Sequence, residues 1–281
     1  MEKFYKRVPA RVNPLLRHKD EKSFDLGGQW LFTLDPQDKG IKEKWYVNKE
    51  VFSAKISVPG SWQGQGFGDE SFDKIWDFRL KARVYRATYH GTGWYGKIFR
   101  IPQGWENKKI WIYFGGVHPS CEIWVNGKYI GSHSGPFVPF AFDITDVVER
   151  ENDNFIAVRV SEKNRWLGLA FNWAGYWSGL YRTVELVGTG DAWVEHCWIH
   201  SDPVGKCMDF MIKTGGNQED VDLEVFVKDP SGKQCGQITR TSGHGKIVFS
   251  IPVKEGRLWT PETPFLYQVD VELKRNEEIV D

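Results

Sequence analysis

The 281-residue sequence reads as all-β, a β-sandwich or barrel followed by an immunoglobulin-like sandwich. Three observations carry that reading. Between Ile110 and Val160 apolar and polar residues alternate with the two-residue period of strands. Asn126-Gly127 stands between two such runs, and this pair is the strongest short-range hairpin signal because a type I′ turn needs positive φ at both central residues. Beyond Gly188-Thr189-Gly190, about six strand-length runs recur through roughly ninety residues, with turn signals such as Asp229-Pro230-Ser231-Gly232 between them.

Taken in order, residues 1–22 are polar and basic, carry two prolines, and read as an arm lying on the surface. A glycine turn at Gly27-Gly28 leads into a first strand through Leu34. Trp45–Ala54 reads as a mixed connection, and a glycine-rich loop runs through Gly68. Residues 69–82 show no period that places them. Tyr85–Tyr89, Gly93–Ile101 and Trp105–Phe114 are strand candidates. In the central stretch, Ile110, Ile112 and Phe114 point one way and Trp111 and Tyr113 the other; Cys121, Ile123 and Val125 alternate with Glu122 and Trp124. The hairpin returns as Lys128–Ser132, then Phe140–Ile144 and Phe155–Val160 complete the set. Residues 161–178 carry five aromatics with no strand or helix period, so they read as a long loop, and long ordered loops on β-scaffolds often carry function. Gly179–Val187 returns to a strand. The second sandwich is expected from Ala192–His200, Met208–Lys213, Val221–Lys228, Gln234–Thr241, Lys246–Ile251 and Leu266–Leu273. The turn at Arg275-Asn276-Glu277 calls for a partner strand, and with Asp281 four residues on, this sandwich is expected to be incomplete at its C-terminus.

Composition narrows the function classes. Hydrophobic residues at 41% and charged residues at 26% suit a globular rather than a disordered chain. Basic and acidic residues number 37 each and are interspersed, whereas a nucleic-acid binder carries a basic excess. No run approaches the about 18 apolar residues of a membrane span, and the N-terminus lacks the apolar core of a secretory signal. A cytoplasmic location is therefore expected, or an extracellular or periplasmic one if a signal has been removed. Cys121, Cys197, Cys207 and Cys235 form no C-x-x-C pair and fit no zinc spacing, so they read as free structural thiols and no metal or cofactor is expected. Fourteen Trp, 18 Phe and 10 Tyr are enough both to fill a core and to leave flat faces on which sugar rings stack.

Polar candidates were weighed against structural roles. Asp143 and Asp146 flank a strand end, where Asp and Thr cap free backbone N–H groups. His118 and His133 read as hydrogen-bonded surface groups without a carboxylate partner in sequence. Ser120, Ser132 and Ser134 lack a nucleophile-elbow context, and Gly64-Gln65-Gly66-Phe67-Gly68 does not join a strand to a helix.

An ordered series of motifs then closely resembles the N-terminal region of glycoside hydrolase family 2, the β-galactosidase, β-glucuronidase and β-mannosidase family. The series is Gly60-Ser61-Trp62, Trp94-Tyr95, Glu122–Lys128, Pro139–Asp146, Gly179–Leu186 and Leu258–Tyr267, spread over about residues 23–281. The resemblance implies a jelly-roll, galactose-binding-like "sugar-binding" domain at 23–190 and an immunoglobulin-like domain at 191–281, with a (β/α)₈ barrel supplying both catalytic glutamates. No alternating βα pattern is present, so the barrel is expected to be absent and the chain to contain no catalytic residue. The family's segment before the Gly-Leu-Tyr-Arg strand approaches the active-site mouth, which makes Asn164, Arg165, Asn172, Trp173 and Trp177 the substrate-binding candidates here. Amide and guanidinium groups hydrogen-bond sugar hydroxyls, and indole faces stack on the ring; the competing role is packing between domains. Asn172-Trp173-Ala174-Gly175 resembles the Asn-Tyr-Ala-Gly run of β-glucuronidases, but Leu169 stands where they carry an acid and Tyr176-Trp177-Ser178 is inserted, so substrate identity does not transfer. The expected role is thus the non-catalytic N-terminal part of a retaining β-glycosidase. A free-standing carbohydrate-binding protein is the alternative, and a self-associating interaction domain, forming a homo-oligomer through the face that would meet the barrel, is a third reading.

Overall fold

The computed structural model describes residues 22–77, 82–162, 177–204, 206–241, 245–253 and 256–281. They form two compact units, one drawn from residues up to 188 and the other from residues 189–281 with 107–109. Among the described residues no helix is long and apolar enough to cross a membrane. The expected arm, apart from Lys22, lies outside the described residues.

The first unit is the jelly roll. Its strands are β1 (Ser23–Asp25), β2 (Gly28–Leu34), β3 (Ala54–Val58), β4 (Asp69–Asp77), β5 (Ala82–Thr88), β6 (Thr92–Phe99), β7 (Lys109–Phe114), β8 (Val117–His118), β9 (Ser120–Val125), β10 (Lys128–Ser134), β11 (Phe140–Asp143), β12 (Asn154–Ser161), β13 (Gly179–Leu180) and β14 (Val184–Thr189). A six-stranded sheet runs β10-β9-β12-β6-β2-β3 and a four-stranded sheet β1-β14-β7-β11, while β4-β5 and β8-β13 form small pairs. One core holds both large sheets together: Trp30, Phe32, Ile123, Ile156 and Val158 from the first meet Ile110, Ile112, Phe114, Phe140 and Leu186 from the second. Cys121 lies in this core, as the alternation of β9 requires, and burial pushes its thiol ionisation far up.

The period-two reading is accurate in the centre and slips at the margins. Trp105 does not open a strand: residues 103–108 are turns and the strand starts at Lys109. Residues 69–82, unplaced by periodicity, contribute the whole of β4 and the first residue of β5. The Asn126-Gly127 turn has φ +50° and +78° and closes a two-residue loop in which Lys128 pairs with Val125, as the I′ geometry demands. Asn126 does more than turn the chain. Its amide donates to Val147 O at 2.9 Å and Asn154 Oδ1 at 2.8 Å and accepts from Phe155 N at 2.9 Å, tying the hairpin to β12. Asp143 takes the expected turn role, accepting from Thr145 N at 2.9 Å and Thr145 Oγ1 at 2.6 Å.

Every residue of β12 is buried, on both faces. Ile156, Val158 and Val160 face the main core, whereas Phe155 and Ala157 join Trp45, Trp94 and Trp124 in a separate cluster on the outer face. The connection between β2 and β3 lies over that face, with Tyr46, Val51 and Phe52 packed against the cluster. It is held there by Asp35, which is 1% exposed and accepts from Lys39 N and Gly40 N, each at 2.9 Å, and from Trp94 Nε1 at 3.0 Å. A buried carboxylate is tolerable only with such donors.

The second unit is the immunoglobulin-like sandwich, with β15 (Ala192–Asp202), β16 (Cys207–Gly216), β17 (Val221–Lys228), β18 (Gln234–Thr241), β19 (Gly245–Pro252), β20 (Gln268–Arg275) and β21 (Glu278–Ile279). Sheets β15-β16-β19 and β18-β17-β20-β21 enclose Phe210, Ile212, Leu223, Val225, Ile251 and Leu273. The partner that the turn at 275–277 calls for is β21, two residues long, after which Leu273 pairs through its main chain with Val280 and Asp281. The strand predicted from Leu266 begins two residues later, at Gln268.

Candidate functional site

Residues 163–176 lie outside the described residues, and with them Asn164, Arg165, Asn172 and Trp173. Trp177 and both roots of this segment are described, and their geometry defines the candidate site.

The roots are clamped together. Glu162 leaves β12 with its N–H donated to Gly91 O at 3.0 Å. Its carboxylate, 9% exposed, accepts the Ser178 hydroxyl on one oxygen and lies 3.0 Å from His90 Nδ1 with the other. Ser178 is fully buried; its N–H donates to Gln63 Oε1 at 2.8 Å and its carbonyl accepts from Trp62 N at 3.0 Å. Gln63 in turn donates to Tyr89 O at 3.1 Å. The Gly60–Gln63 turn thus acts as a cradle for the returning chain, and Gly60 N donates to Leu180 O at 2.8 Å. Gly179 passes over this cradle at φ +136°, where a Cβ would stand 2.6 Å from Tyr95 Oη and 2.8 Å from Gly60 O; only glycine fits. Ser178 and His90 contact opposite oxygens of one carboxylate, an order unlike the serine–imidazole–carboxylate relay of an acyl-transfer triad.

Beside the clamp lies an aromatic shelf. Trp177 stacks on the His118 ring at 4.0 Å with planes 24° apart and meets the Tyr181 ring edge-on at 4.9 Å. Phe137, 47% exposed, flanks His118 at 6.2 Å, and the Tyr181 hydroxyl donates to Pro136 O at 2.6 Å. Burial pushes the Tyr181 phenol ionisation up, so it is a neutral donor at neutral pH. His118 is fully buried, contrary to its reading as a surface group, because β8 pairs with β13 and draws it beneath Trp177. His133 likewise stacks on Phe140 at 3.9 Å, with Nε2 3.1 Å from Gly135 O. The burial of His118 escapes sequence reading because the two-residue strands β8 and β13 leave no period, and Phe137 and Tyr181 lie outside strands altogether. Gly60-Ser61-Trp62 was the one signal for the cradle.

The arrangement provides ring faces, a neutral phenol and a rigidly rooted segment; its one buried carboxylate faces a hydroxyl and an imidazole rather than a second carboxylate. Ring faces and phenol hydroxyls are groups that hold polyhydroxylated ligands. Among the described residues no group of three or more His, Cys, Asp or Glu is placed to hold a metal ion. The four cysteines are free thiols; that of Cys197 is pushed up to about 11 by burial.

The chain belongs to glycosyl hydrolase family 2: the family's sugar binding domain matches residues 24–190 and a second family 2 domain matches residues 194–281. Among curated relatives, a β-glucuronidase of Paenibacillus borealis is 26% identical over 274 residues, covering 89% of this chain and 42% of the relative. A β-galactosidase of Streptococcus thermophilus is 25% identical, covering 96% of this chain and 29% of the relative. The chain therefore spans less than half the length of these proteins. In structure it resembles the β-glucuronidase of Ruminococcus gnavus, with a TM-score of 0.73 at 22% identity over 96% of this chain and 45% of that one. At that identity the likeness concerns the fold.

Proposed function

We propose that these residues form the non-catalytic N-terminal part of a glycosidase that hydrolyses a β-linked sugar with retention, and that they wall and orient its substrate site. The observation that carries the reading is the family's sugar binding domain over residues 24–190, in a chain that spans 42% or less of relatives named β-glucuronidase and β-galactosidase. Retention needs two carboxyl groups about 5–5.5 Å apart, and we assign both to a (β/α)₈ barrel outside these residues. The handover between the two β-domains falls at Gly188-Thr189-Gly190.

The substrate contacts assigned to this chain are Asn164, Arg165, Asn172, Trp173 and Trp177. Supporting them is the clamp at Glu162 and Ser178, which fixes where the segment leaves and rejoins the sandwich, and the shelf that gives Trp177 a packed underside. The purified 281-residue chain is expected to leave chromogenic β-glycosides intact; turnover that co-purifies with it through successive columns overturns the proposal. Titration with oligosaccharides separates the alternative of a free-standing carbohydrate-binding protein, which predicts micromolar binding, from a wall that contributes only within a larger enzyme.

A further inference from the structure

The outer face of the six-stranded sheet carries a second cluster. Strand β10 is the edge of this sheet, and its pairing with β9 is bulged between Tyr129 and Gly131. Bulges re-aim side chains at sheet edges. Here the bulge keeps both Tyr129, opposite Trp124, and Ser132, opposite Glu122, on the outer face. Tyr129 is 55% exposed, yet it is braced from below: its ring meets Trp124 edge-on at 5.5 Å, and Tyr46 stacks on Trp124 at 5.2 Å with planes 9° apart. Burial of its inner edge and the nearby Glu122 charge push the phenol ionisation up, against a hydrogen bond with Ser132.

Next to the ring, Arg159 donates to Glu122 Oε2 and Asp38 Oδ1, each at 2.5 Å. The guanidinium is 11% exposed and the two carboxylates 22% each, so the acids form the accessible rim and the cation their buried anchor. Arg159 Nε is buried with no protein partner.

We propose that this face is a carbohydrate subsite in which a neutral pyranose stacks on Tyr129 and hydrogen-bonds to Glu122 and Ser132. The inference deepens the sugar-binding reading of the domain by adding a site independent of Trp177. The apolar C–H face of a pyranose matches an exposed aromatic plane, and a rim carboxylate with an adjacent hydroxyl accepts from and donates to vicinal sugar hydroxyls. The ring is immobilised before ligand arrives, which lowers the ordering cost of binding. The Glu122 carboxylate on the rim disfavours uronates and other acidic sugars, which sets its specificity.

The experiment titrates the 281-residue chain with neutral oligosaccharides (galacto-, manno-, xylo- and cello-) and with a uronate oligosaccharide, by calorimetry and ligand-observed NMR up to about 10 mM. A neutral oligosaccharide is expected to bind, to lose about tenfold or more in affinity in Tyr129→Ala, and to keep its affinity in Trp177→Ala. Tyr129→Phe, which keeps the ring, is expected to retain most of the binding, and matched melting curves confirm that each variant folds. Three results overturn the proposal: no neutral sugar bound, affinity indifferent to Tyr129→Ala, or preference for the uronate. Binding that Trp177→Ala abolishes and Tyr129→Ala leaves intact also overturns it, while supporting the contacts assigned to the clamped segment.

Discussion

Removing the Asp35 carboxylate should loosen the whole covering of the outer sheet face. In Asp35→Ala three N–H donors lose their acceptor, and two of them, Gly40 N and the Trp94 indole, are buried. Lys39 N, on an exposed residue, finds water instead. A stranded buried donor costs about 1–3 kcal/mol, so the two together cost about 4 kcal/mol at the middle of that range. A domain of this size loses about 2–4 °C per kcal/mol, which puts the fall in Tm at roughly 8–16 °C. Asp35→Asn keeps one oxygen and should fall between variant and parent. Trp94→Phe removes one donor while keeping a ring in place, so Asp35→Ala combined with Trp94→Phe should cost less than the sum of the two single changes. Calorimetry of the four proteins tests this directly. If Asp35→Ala melts within about 2 °C of the parent, or the double variant is strictly additive, the carboxylate is not what holds the covering segment and the reasoning fails.

The clamp and the buried phenol give further expectations. Ser178→Ala strands one side of the Glu162 carboxylate and should destabilise the first unit by about 1–3 kcal/mol in denaturant titration; an unchanged midpoint refutes the clamp. Tyr95 is fully buried and its ionisation is raised by desolvation, so the unfolded chain releases the phenolic proton first. The corresponding stability is fully present below about pH 10, the ionisation range of an unfolded tyrosine, and declines as pH rises above it. Tyr95→Phe should flatten the alkaline limb of a Tm-against-pH scan, and an identical limb in the variant refutes this.

Much of the fold was legible because its strands are half-buried and alternate. Cys121, Ile123 and Val125 against Glu122 and Trp124 is such a case, and the Asn126-Gly127 turn fixed the hairpin register. Legibility failed where burial is not one-sided. Trp94 and Trp124 sit on the nominally polar face, and no periodicity reveals that the segment after Leu34 folds back to cover them. It failed again where elements are too short to have a period, as in Val117-His118 and Gly179-Leu180, and that pairing is what buries His118 beneath Trp177. The candidate site was therefore readable as an aromatic-rich segment but not as a geometry. Glu162 and Ser178 carry no local motif, and their link to His90 and Gln63 exists only after the sheets have formed.

The pairing of β1 with β14 has a consequence for biosynthesis. Ser23 bonds to Glu185 across a sequence separation of 162 residues, so β1 leaves the ribosome long before its partner strand β14. At translation rates of about 5–20 residues per second, the nascent chain waits roughly 10–30 s before that sheet can close. During that interval the tryptophan-bearing strands between them emerge before the four-stranded sheet that opposes them is complete, so their core-facing side chains stay partly uncovered until β14 arrives.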